Sequence, residues 1–135
     1  MENKLAKILL SLMILGISLL AEVTHQYPTH ENLNSGIPIV DIRTPSEWKQ
    51  TGIVKGSITI MFFDEKGAYD VNAFLAELNQ KVDTKKPFAL ICRTGSRTKQ
   101  ISDFLSKELN YDVVNFKGGI YYMKRNNIPT VAHTK

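Results

Sequence analysis

At 135 residues, with 43% hydrophobic and 22% charged side chains, the chain has the balance of one globular domain and not of a disordered segment. Its formal charge of +4 is spread among interspersed residues with no basic run, so it carries no nucleic-acid footprint. A single cysteine excludes an internal disulfide and a CxxC redox motif.

The chain opens with Lys4 and Lys7, then an apolar stretch from Ile8 to Leu20, then Ala21. Positive, apolar, small is the order of a secretory signal. The apolar stretch would span roughly 20 Å as a helix, short of the ~30 Å hydrocarbon core, so no stable membrane span is expected. Residues 1–21 are therefore read as a cleaved signal peptide, with a cut after Ser18 as the alternative, and the mature chain as periplasmic or secreted. Its loss removes Lys4, Lys7 and Glu2 and leaves a charge of +3.

Residues 22–33 read as a polar leader. His25 and His30, five apart around Pro28, are expected to be solvated and not metal ligands. No metal and no cofactor are expected.

The domain proper is expected over 34–131. "IPIVDI" (37–42) reads as a buried strand. In "TPSEW", Thr44 caps a helix, Pro45 takes its first position and Glu47 completes a capping box, giving a short helix from Pro45 to Gln50. "GSITI" (56–60) is a second strand. Asp70 caps a helix whose apolar face carries Val71, Phe74, Leu75, Leu78 and Val82, and "KKP" ends it. "FALIC" (88–92) has the continuous apolar character of a central parallel strand. Ile101, Phe104, Leu105 and Leu109 mark one face of the next helix. "YDVVNF" is another strand, and "KGGI" turns the chain into a last helix through Tyr121 to Arg125. Strands alternating with helices predict an α/β fold with a central, mostly parallel sheet flanked by helices.

Cys92 falls at the carboxyl end of the central strand, where α/β sheets bind ligands. "RTGS" follows it and leads into a helix starting near Ser96. A helix N-terminus favours negative charge, Arg93 and Arg97 add two cations, and Gly95 permits a tight anion-cradling loop. These surroundings favour an accessible, reactive sulfur anion over a buried, inert thiol, which is the alternative. The histidines, His25, His30 and His133, lie near the chain ends, so no imidazole is evident to activate Cys92.

"VDIRTPSEW", "TGIVKGSITI", "CRTGSR" and "GGI…IP" (118–129), in that order, resemble the rhodanese family of sulfurtransferases. The resemblance implies a rhodanese-like fold and a catalytic Cys92 that takes a sulfane sulfur from a small anionic donor such as thiosulfate. The amides from Arg93 through Thr94, Gly95 and Ser96 to Arg97 would cradle that sulfur, and Arg93 and Arg97 would hold the donor. The acceptor would be cyanide, a thiol or a sulfur-accepting protein, because no second cysteine is present. Asp41 and Arg43 match the early motif and are read as braces of the sheet edge. Trp48 is read as packing, Gly118–Gly119 as a turn needing unusual backbone angles, and Lys117 as solvated. Gly52 and Met123 replace the family's common histidine and tryptophan. The rivals are a non-catalytic binding module and a phosphatase of the same fold. Four residues separate Cys92 from Arg97, as in sulfur transfer; the phosphatases have five.

Overall fold

Ile39–Asp41 (β2) and Phe88–Ile91 (β4) are buried on both faces, which is why their sequences run apolar without alternating with polar residues. They pair in parallel, Val40 opposite Leu90, inside a five-stranded all-parallel sheet. The remaining elements are β1 (Thr24–Gln26), α1 (His30–Leu33), α2 (Pro45–Thr51), β3 (Ile58–Thr59), α3 (Val71–Lys81), α4 (Ser96–Leu109), β5 (Val113–Phe116) and α5 (Gly119–Arg125). The strand order is β1-β5-β4-β2-β3. The chain runs outward from β2 to β3, returns past β2 to β4, and continues the other way to β5. Loops after β2 and β4 thus leave the same sheet edge side by side, at the switch point where such sheets form a crevice.

The computed structural model describes residues 20–134. Residues 1–19 of the expected signal lie outside the described residues. Among the described residues no helix is long and apolar enough to cross a membrane. The segment expected to be a leader is built into the fold instead. β1 pairs with β5, Thr24 opposite Val114 and Gln26 opposite Phe116, and adds the edge strand. Its polar side chains, exposed at Thr24 and His25 and half-buried at Gln26, give no period-two apolar signal; the backbone pairing makes it a strand.

Alternation along each strand sends side chains into two cores. Val40, Leu90 and Cys92 join Phe74 and Leu78 of α3 and Ile101 and Leu105 of α4 on one face. Ile39, Ala89, Ile91, Val114 and Phe116 join Ile120 and Met123 of α5 on the other. The predicted caps are formed. Thr44 and Glu47 make the capping box of α2, with Pro45 in its first turn, and Asp70 accepts from the Ala73 N–H at the start of α3.

Candidate active site

The period-two alternation that fills the core also decides where Cys92 points. Its side chain follows that of Leu90 toward α3 and α4, and the residue is 0% exposed. The expectation of an accessible sulfur is therefore corrected: in this state the thiol lies beneath its own loop. Sγ accepts the Gly95 N–H at 3.2 Å and lies 3.6 Å from Thr98 Oγ1.

Two glycine steps shape the loop. Gly95, at φ +94°, turns its N–H back onto the sulfur, and a methyl group there would lie 2.8 Å from Gly118 N. Gly119, at φ +55°, allows the start of α5 to press against the loop, and any side chain would collide with the Cys92 and Arg93 carbonyls. Those carbonyls accept from the Ile120 and Tyr121 N–H groups at 3.0 and 2.9 Å. With the carbonyls committed to α5, the N–H groups of Thr94, Ser96 and Arg97 have no acceptor among the described residues. They and the N-terminus of α4 make the loop beside the sulfur electropositive.

The two arginines beside Cys92 have different surroundings. Arg93 is exposed, and its side chain has no partner among the described residues. Arg97 is clamped in a two-pronged ion pair, Nη1 to Glu47 Oε1 at 2.7 Å and Nη2 to Glu47 Oε2 at 2.8 Å. Burial works against the Glu47 carboxylate, but the hydrogen bond and charge of Arg97, the Thr44 N–H and the charge of Arg43 outweigh it and hold the carboxyl below its ordinary range. Arg97 moves upward, chiefly through its hydrogen bond to Glu47, with smaller contributions from the charges of Glu47, Cys92 and Asp41. A cleft of about 580 Å³ opens over this pair, lined by Arg93, Thr94, Ser96, Arg97, Glu47 and Phe63 among others. Cys92 does not line it.

Asp41 and Arg43 are fully buried and bonded to each other, Nη2 to Oδ2 at 2.8 Å. Asp41 also accepts the Trp48 indole N–H at 3.1 Å, and Arg43 reaches the Gly52 carbonyl at 2.7 Å and Thr51 Oγ1 at 2.6 Å. The pair thus ties the end of β2 to the middle and the C-terminal end of α2. The Gly118–Gly119 pair has the unusual angles expected of it, φ +78° and +55°. The Lys117 ammonium sits 4.4 Å from the centre of the Tyr27 ring.

Four residues at the site escaped sequence reasoning in this role. Glu47 was legible as a cap but not as the partner of Arg97, fifty positions away. Thr98, Asn115 and His25 form a chain of polar contacts leading from the sulfur, at 3.6, 2.6 and 3.0 Å. A polar Asn115 inside the apolar run "YDVVNF" was the one available signal.

The chain matches the family model described as "Rhodanese-like domain" over residues 27–126. A Rickettsia prowazekii (strain Madrid E) protein described as "Uncharacterized protein RP600" is 30% identical over 107 residues, 72% of this chain and 85% of the relative. The crystal structure of Rv0390 from M. tuberculosis superposes with a TM-score of 0.59 at 19% identity, over 73% of this chain and 80% of that one. A rhodanese-like domain protein from Staphylococcus aureus superposes with a TM-score of 0.54 at 19% identity, over 75% and 89%. At these identities the two structures show a shared fold.

Proposed function

The chain belongs to the rhodanese-like domain family, and from that premise we propose that it is a sulfurtransferase whose Cys92 carries a sulfane sulfur as a persulfide. The observation that carries the reading is the loop: a sulfur that accepts the Gly95 N–H, in a loop whose Thr94, Ser96 and Arg97 N–H groups have no acceptor among the described residues. The Cys92 thiolate attacks the outer sulfur of a donor such as thiosulfate. The donor's S–S bond breaks, and sulfite leaves with the electron pair. The persulfide anion left on Cys92 is bonded by the loop amides, as a developing oxyanion would be. An external nucleophile, cyanide or a thiol, then attacks the outer sulfur and returns the thiolate. This is double displacement with a covalent intermediate. Arg93, which lines the cleft and whose side chain has no partner among the described residues, is the first contact for an anionic donor. Arg97 holds the loop through Glu47. The proposal places the mature protein outside the cytoplasm, exported through residues 1–21.

The burial of Cys92 and the closed Arg97–Glu47 pair favour a second reading, a binding module without turnover. Thiocyanate formation from thiosulfate and cyanide separates the two. The proposal expects turnover by the native chain and none by Cys92→Ser. Absence of turnover with thiosulfate and with organic persulfides would leave the binding module. Hydrolysis of an aryl phosphate would point to the phosphatase chemistry of the same fold.

A further inference from the structure

Asn115 lies within β5 between Val114 and Phe116 and is 2% exposed. A buried amide in an apolar strand is costly unless its hydrogen bonds are made. Here Oδ1 accepts from Thr98 Oγ1 at 2.6 Å and Nδ2 stands 3.0 Å from His25 Nδ1. His25 is on β1, directly opposite Asn115 in the ladder and outside the stretch matched by the family model. Thr98 is wholly buried and has one proton with three acceptors around it: Asn115 Oδ1, the Gly95 carbonyl at 3.2 Å and Cys92 Sγ at 3.6 Å.

We propose that Thr98 and Asn115 are positioning residues that set whether the Cys92 sulfur is held as a thiol or as an anion, and that His25 selects the setting. With His25 neutral and Nδ1 accepting from Asn115 Nδ2, Asn115 presents its carbonyl to Thr98. Thr98 must then donate to Asn115, so its oxygen faces the sulfur as an acceptor. That arrangement suits S–H. When Nδ1 of His25 carries a proton, it can no longer accept from the amide, and Asn115 turns over. Its Oδ1 now accepts from His25 and its Nδ2 donates to Thr98. The Thr98 proton is released to the sulfur, an arrangement that suits the thiolate and the persulfide anion. Histidine is the side chain whose charge changes near neutrality, so the setting responds to pH.

At the sulfur end of the relay the charge of Arg97 acts on Cys92 in either setting. β5 contains no ionisable side chain. Among the described residues no ion pair involves His25; Lys99 and Asp103 of α4 pair with each other at 3.2 Å, and Lys117 sits over Tyr27. Glu22, Tyr27, His30 and Glu31 are the other ionisable groups of the same segment, and all four are exposed.

The inference rests on reading Cys92 as the reacting sulfur, but its test needs no sulfur donor. The thiolate of the full chain is titrated by ultraviolet absorbance, with Cys92→Ser subtracted. The native curve should be broader than a one-site titration, because sulfur and imidazole are coupled, and His25→Ala should narrow it to one site. Thr98→Val should raise the midpoint by about one pH unit, a tenfold loss of thiolate preference, and Thr98→Ser should restore it. Because His25 is exposed on an edge strand, His25→Ala keeps the fold even where a change at Asn115 does not. A native one-site curve that His25→Ala leaves unmoved, or a Thr98→Val curve that coincides with the native one, overturns the relay. Sulfur transfer by the same sample would then still stand, and its failure would leave this titration untouched.

Discussion

Glu47 serves two partners at once: its carboxylate closes the capping box of α2 and clamps Arg97 at the entrance of the cysteine loop. Its carboxyl is held below the ordinary range, so its contribution to stability is fully present above about pH 5 and is lost as pH falls through the lowered value. The pair is partly exposed, and replacing Glu47 by Gln should cost only about 1 kcal/mol at pH 7. Urea denaturation should show that gap unchanged down to about pH 5 and shrinking below about pH 4. Sequence reasoning found the cap because a capping box is local, three residues apart. It assigned Arg97 to the donor because the pairing with Glu47 depends on which two loops the sheet order brings together. Asp41 and Arg43 were read as braces of the sheet edge; each is fully buried, and each side chain finds its partners within nine residues. Asp41→Asn leaves the Arg43 charge buried with its counter-charge removed. Its expected cost in thermal or chemical denaturation is about 3–5 kcal/mol, far above that of Glu47→Gln.

Elements succeeded or failed by how much of their signal was in side chains. The continuous apolar runs of β2 and β4, and the one-sided faces of α3 and α4, come from burial and are visible as composition. β1 is held by backbone pairing on one side and shows polar side chains to solvent, so nothing in its sequence marks it. Its removal frees the edge of β5. In a chain beginning at Ile37, the Lys117 amide, now bonded to the Gln26 carbonyl at 2.9 Å, should exchange with solvent faster, while α3 amides stay protected. Equal protection of Lys117 in both chains would mean that β1 contributes nothing. The contact of α5 with the loop depends on Gly119. Gly119→Ala adds a methyl group into two carbonyls at a positive φ, and the expected cost is about 2–4 kcal/mol with loss of the loop's shape. The sequence showed that this glycine pair turns the chain; that it also lets one helix touch the cysteine loop is a tertiary fact.

At the scale of the whole molecule, the strand order places the loops after β2 and β4 at one switch point, and Glu47, Cys92 and Arg97 stand together there. The alternation that makes "FALIC" a core strand also buries its last residue, so the property that identified the strand hid the sulfur that the charge pattern predicted to be accessible. The loop's outer residues Arg93, Thr94 and Ser96 are exposed and line the cleft, while Cys92 beneath them belongs to one of the two cores. The decisive measurement is the intact mass of the native protein after incubation with thiosulfate, beside Cys92→Ser. Sulfur carriage by Cys92 predicts a gain of one sulfur atom that cyanide removes and that the variant never acquires. An unchanged native mass, or an equal gain by the variant, would contradict it.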